Sequence, residues 1–281
     1  MSTLCDVLRA TLPRFSVCTS LTKVSAASEV YALTVLDSVE LTKVLTECVE
    51  QIEGVRWYDD NDEYRRLCES SGITSAQLFS PRPSASRKQL RKIQLGDLGE
   101  LLGCLTLAAH FGIDPDALFA RNLAKPSALK SESGYDIAVI KIDLADTGDV
   151  HLGGYDEFRA VESKVSNSHG VVALVSTAQR SFEQDIQEVQ KLLQMYMHFA
   201  AERFGGAAAV HRIPSFLFEL YQKTAKFSFC SVATTPLGHG ANEILSVAEH
   251  LAAFHQAMAV LCTLDGSAMI KEVYKFREQA S

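Results

Sequence analysis

The sequence predicts a two-part α/β protein. Short segments rich in β-branched and aromatic residues alternate with longer runs of helical apolar spacing, and one Pro/Ser-rich stretch divides the chain. Hydrophobic residues make up 47% of the 281, enough to bury a core of domain size, so no disordered tract needs to be invoked. The stretch 80–86, SPRPSAS, is the best linker candidate. It separates an N-terminal α+β region, 1–85, from a larger unit, 86–281.

Within the first region, 29–35 (EVYALTV) has the content of a strand. Residues 38–52 carry Leu41, Val44, Leu45, Cys48 and Ile52 at helical spacing. Asp59, Asp60, Asp62 and Glu63 mark a solvated turn before a short helix over 64–70. The second unit opens with a strongly apolar helix over 94–111 that ends at Gly112. Two strands follow, 135–142 (YDIAVIKI) and 158–165 (FRAVESKV), joined by a polar turn around Gly148, Gly153 and Gly154. A long helix over 181–204 closes at Gly205 and Gly206. Then come a helix over 214–223, a strand over 227–233, a helix over 242–264 and a short C-terminal helix.

Composition narrows the function classes. The first fifteen residues include Asp6, Arg9, Pro13 and Arg14, with no apolar run long enough for a secretory signal. The most apolar stretches are too short or too interrupted to span a bilayer, which makes the cytoplasm the expected location. Seven cysteines, Cys5, Cys18, Cys48, Cys68, Cys104, Cys230 and Cys262, include no CxxC pair, so a structural zinc site is not expected and buried reduced thiols are. The net charge is −7, whereas a chain that grips nucleic acid unaided is usually basic. Any basic surface must be local or come from a partner. The one dense basic cluster is Arg82, Arg87, Lys88, Arg91 and Lys92, and in it Arg87, Lys88, Arg91 and Lys92 are candidates for DNA phosphate contacts, against the plainer reading of a solvated face.

The chemistry-bearing pattern lies in the two central strands. Alternation places Phe158, Ala160, Glu162 and Lys164 on one face of their strand and Val161, Ser163 and Val165 on the other. Opposite charges side by side on an otherwise apolar strand are costly without a purpose. Asp136 opens the preceding strand, with Ala138 and Ile140 on its face, and an antiparallel pairing would carry it to Glu162. Two converging carboxylates offer the oxygen-rich, partly open coordination that Mg²⁺ (or Mn²⁺) prefers. Lys164 beside them could orient or deprotonate an attacking water and stabilise charge developing on a phosphate. Phosphodiester hydrolysis needs those elements. Glu100 sits within the apolar helix on the side of Asp97 and Cys104, either as a solvent-facing position or as an accessory carboxylate extending the acidic cluster.

The order of helical Glu100, then KPSALKSESGYDIAVI, then FRAVESKV resembles the PD-(D/E)xK superfamily of restriction-endonuclease-like nucleases. More narrowly, GELLGCLTLAAHFG, PSALKSESGYD and VESKVS resemble the HamA family, the effector nuclease of the Hachiman anti-phage defence system, over about residues 90–190. The resemblance implies a mixed sheet flanked by helices, Mg²⁺-dependent DNA cleavage and partnership with a superfamily 2 helicase, HamB. It gives Asp136 and Glu162 as metal ligands, Lys164 as the residue acting on water and Glu100 as the accessory carboxylate. Two other functions fit the same residues: a catalytically silent nuclease-fold scaffold that binds and regulates a helicase, and RNA cleavage. His169 is a loop residue that could approach the site, and Lys130 with Ser131 could touch phosphate or form an ordinary turn.

Overall fold

A computed structural model describes residues 4–58, 87–120, 136–141, 157–186, 226–253 and 256–275. The elements, in chain order, are α1 (Leu4–Cys18), β1 (Thr19–Lys23), β2 (Glu29–Val35), α2 (Ser38–Tyr58), α3 (Arg87–Phe111), β3 (Leu118–Ala120), β4 (Ile137–Lys141), β5 (Glu157–Val165), α4 (Val171–Ile186), β6 (Lys226–Thr235), α5 (Ala241–Ala252), β7 (Ala257–Thr263) and α6 (Gly266–Val273). A single 3₁₀ turn, Pro115–Ala117, precedes β3.

The strands form one seven-stranded mixed sheet in the order β1-β2-β7-β6-β5-β4-β3. Its centre is parallel: β2 with β7, β7 with β6, and β6 with β5. Both flanks are antiparallel, β1 on β2 at one side and β3-β4 on β5 at the other. Helices cover both faces, and the architecture is α/β. The sheet runs on without a break across the division expected near residue 85, because β1 and β2 belong to it.

Strand alternation sorts the core into two layers. On one face Ile137, Val139, Val161, Cys230, Val232, Val260 and Cys262 share one core layer with residues of α1, α2, α3 and α6. On the other, Ala138, Ala160, Phe229, Ala233, Ala259 and Leu261 meet α4 and α5. The helix α2 fits its pattern, since Leu41, Val44, Leu45, Cys48, Val49 and Ile52 are all buried. Asp37 caps it, accepting hydrogen bonds from the Val39 and Glu40 amides at 3.0 and 2.9 Å. The helix α3 differs in kind. It is buried all round from Asp97 to Ala108, as a helix caught between a sheet and other helices must be. It ends where Gly112 takes φ +64, and the Ile113 amide turns back to the Leu107 carbonyl at 3.2 Å.

Several expectations need correction. The helix expected over 242–264 is two elements: α5 stops at Ala252, and 257–263 (AMAVLCT) is the central strand β7. The change of direction passes through Gln256, a non-glycine residue at φ +58. Ten residues separate the observed start of α4, Val171, from the start expected at 181. The elements α1 and β1, for which no expectation was formed, supply one outer helix and one sheet edge. The expected helices over 64–70 and 214–223, the turn around Gly148, the remainder of the helix after 186, and Lys130 with Ser131 lie outside the described residues. No helix among the described residues is long and apolar enough to cross a membrane. The six described cysteines are free and buried; burial pushes Cys48 up to about 11 and Cys230 and Cys262 up to about 12, so they are core thiols.

Candidate active site

The site forms where antiparallel pairing on β5 runs out. Ile137 pairs with Val161, so the residue before it, Asp136, falls opposite Glu162. Asp136 therefore lies at the open end of the β4-β5 ladder. Its Oδ2 accepts a hydrogen bond from the Ser163 backbone amide at 2.9 Å. The carboxylate thus stands where a further strand carbonyl would have been, and β5 itself fixes it in place.

Glu162 and Lys164 share a face of β5, two residues apart. Lys164 Nζ donates to Glu162 Oε2 at 2.6 Å and to Asp136 Oδ2 at 3.3 Å. The side chains of Glu162, Asp136 and Lys164 are 2%, 11% and 23% exposed, so the carboxylates are sunk and the ammonium reaches toward solvent. Burial pulls the Lys164 pKa down, but the charges of Asp136 and then Glu162 outweigh it and hold it above the ordinary lysine value. Lys164 is a cation here. Among the described residues the cluster brings two carboxylates and one ammonium together at the end of β5.

The expected alternation on β5 holds. Ala160 enters the layer under α4 and α5, while Val161 enters the layer under α3. The position of Glu100 is more informative. It is 1% exposed, so its solvent-facing reading fails. It rides on α3, where a Cβ on the preceding Gly99 would meet Ser163 Oγ at 2.7 Å and Val165 Cγ2 at 2.8 Å. Those residues point to the face opposite Glu162 and Lys164. Among the described residues no three His, Cys, Asp or Glu side chains are grouped to hold a metal.

His169 stands in the loop after β5, exposed, with Nδ1 at 2.9 Å from Ser166 Oγ and 3.2 Å from Ser168 Oγ. Its carbonyl accepts from Thr235 Oγ1 at 2.9 Å, which ties the loop to the end of β6. Arg87, Lys88, Arg91 and Lys92 belong to the first turns of α3, and their side chains lie outside what is described.

Two residues of the site escaped sequence reasoning. Ser163 holds Asp136 through its backbone, a role no side chain announces. Ser231 is the register neighbour of Glu162 on β6 and is fully buried. Only the β5-β6 register would have revealed it.

The donor set fits a hard divalent cation. Mg²⁺ is commonly held by one or two carboxylates, the rest of its shell coming from water and substrate phosphate, and Asp136 and Glu162 supply two. What fold and site define is an α/β protein whose mixed sheet carries a buried carboxylate pair and a lysine at the end of one antiparallel ladder. No family model matches the chain, and no curated protein matches it.

Proposed function

We propose that this chain is a metal-dependent deoxyribonuclease of the PD-(D/E)xK, restriction-endonuclease-like type. By its resemblance to the HamA family, we propose that it serves as a defence effector working with a superfamily 2 helicase. The observation that carries the reading is the meeting of Asp136, Glu162 and Lys164 at one end of β5.

Asp136 and Glu162 would hold the ion, Mg²⁺ or Mn²⁺. When bound, the ion supplies Lewis acidity toward the phosphate and the attacking water. The chain's own residues supply orientation and charge. Asp136 is pinned by the Ser163 amide, so one ligand is set before anything binds. Glu162, almost wholly buried, has little freedom to leave its strand face. Lys164, held as a cation, is suited to orient water and to stabilise charge gathering on a phosphate oxygen in the transition state. The net charge of −7 supports delivery to DNA by a partner.

The test is plasmid degradation with Mg²⁺ by the purified chain, alone and with a superfamily 2 helicase of the HamB kind. Cutting that disappears in Glu162→Ala and Lys164→Ala, with the circular dichroism spectrum retained, is the expected result. Undiminished cutting by either variant, or no cutting by the native chain in any combination, overturns the proposal.

A further inference from the structure

Ser231 occupies the middle of β6 and is 0% exposed, and among the described residues its hydroxyl has no hydrogen-bond partner. Buried hydroxyls nearly always find one, so an exception calls for an explanation. The register supplies it. Ser231 lies beside Glu162 on β5 and beside Ala259 on β7. Along its own strand, the neighbours on the same face are Phe229 and Ala233. All but Glu162 are apolar and belong to the layer beneath α4 and α5, where Val171, Leu174, Val175 and Ala178 close the space above. Among the described residues, the register neighbour on its sheet face that can accept the proton of this hydroxyl is the Glu162 carboxylate.

We infer that Ser231 is a positioning residue for Glu162, its hydroxyl donating to the carboxylate when Glu162 holds a divalent ion. This rests on the nuclease reading of the same site. As it stands, Glu162 Oε2 is engaged by the Lys164 ammonium at 2.6 Å. Were Asp136 and Glu162 to hold a divalent ion, the rest of the Glu162 carboxylate would need a neighbouring donor to orient it, and the Ser231 hydroxyl can rotate to it without backbone movement. Partners that orient a ligating carboxylate contribute about 10–100-fold to metal affinity or activity. Ser231 is placed to be such a partner on the side away from Asp136, since β6 and β4 flank β5 on opposite edges.

The test compares Ser231→Ala and Ser231→Thr with the native chain, by Mn²⁺ titration followed by electron paramagnetic resonance and by plasmid cleavage. Ser231→Ala is expected to weaken Mn²⁺ binding about tenfold or more while the metal-free melting temperature holds or rises. Ser231→Thr, which keeps the hydroxyl, is expected to restore most of the affinity. Equal Mn²⁺ affinity in the native chain and Ser231→Ala overturns the role, as does an Ala defect that Thr leaves untouched while folding normally. A native chain that binds Mn²⁺ and cuts DNA, beside an unaffected Ser231→Ala, leaves the nuclease reading standing and removes only this inference. A native chain that neither binds Mn²⁺ nor cuts removes both.

Discussion

At one flank of the sheet Lys23 on β1 pairs with Glu29 on β2; at the other Lys164 pairs with Glu162 and Asp136. Both are lysine-carboxylate contacts next to antiparallel strand pairs, and by residue type they look alike. Their surroundings do not. The Lys23 and Glu29 side chains are 42% and 51% exposed, whereas Glu162 and Asp136 are 2% and 11% exposed. Water screens the first pair, so it contributes at most about 1 kcal/mol and can be explained as a solvated sheet edge. The second has given up hydration that its mutual attraction repays only with good geometry, and an apolar replacement would often be as stable. A charge cluster kept where stability does not require it marks the end of the sheet where function is to be sought.

The widest separation between the two pairs should be in catalysis. Lys164→Ala is expected to reduce Mg²⁺-dependent cleavage by roughly 10²–10³-fold, the range for losing a group that stabilises transition-state charge. Lys23→Ala should leave it unchanged. Comparable losses in the two variants would mean that Lys164 acts through general surface charge, and the contrast drawn above would collapse.

Stability should separate them next. Lys164→Met removes the ammonium from beside two buried carboxylates and is expected to cost at most about 3–5 kcal/mol, toward the lower end because the lysine side chain keeps 23% exposure. Urea unfolding without metal measures this. Adding Mn²⁺ should then raise the melting temperature of Lys164→Met more than that of the native chain, since the ion substitutes for the lost cation. An equal shift in both would deny that the carboxylates are what the ion meets.

How far these contrasts could be read in advance depended on which information is local. Glu162 and Lys164 are two residues apart, and their shared face follows from strand periodicity alone; Asp136 needed one further assumption, an antiparallel neighbour, and β4 supplies it. The ends of helices near glycine were also legible, as Gly112 shows. The strand β7 was not. Its AMAVLCT segment follows the helical stretch 241–252 with no proline or glycine between, so the helical pattern reads on into a short apolar segment that periodicity alone cannot assign to helix or strand. The break falls at Gln256, whose positive φ is a tertiary outcome that its residue type does not announce. For Glu100 the expectation left solvent and site both open, and its burial removes the first. It lies on a helix buried on every side, and the packing of α1, α2 and α6 over α3 is set by residues remote in sequence.

That packing also makes the site's backing sensitive. The expected Gly99→Ala effect is about 1–3 kcal/mol of destabilisation from overpacking, because its methyl would press on Ser163 Oγ and Val165 Cγ2 at less than 3.0 Å. Since Ser163 also holds Asp136 through its amide, the variant should lose cleavage beyond what its stability predicts. The measurement is cleavage rate well below the melting temperature. A variant that is destabilised yet fully active would show that β5 can shift without disturbing the carboxylate pair.

The smallest effect belongs to the exposed pair. Glu29 is held below the usual carboxylate range, mainly by the hydrogen bond from Lys23 and then by that from the Tyr31 hydroxyl. Its pKa is thus lower folded than unfolded, where about 4.3 is normal for glutamate. A depressed carboxylate adds stability that is complete above the unfolded value and is lost as pH falls through the folded one. Glu29→Gln should therefore melt slightly lower than the native chain near neutrality, and the gap should close on going from about pH 6 to about pH 3. High salt should narrow the gap at the upper end of that range, because this pair is open to screening. A gap that survives both acid and salt would instead report packing of the Glu29 stem, and the two lysine-carboxylate pairs would then differ in kind rather than only in exposure.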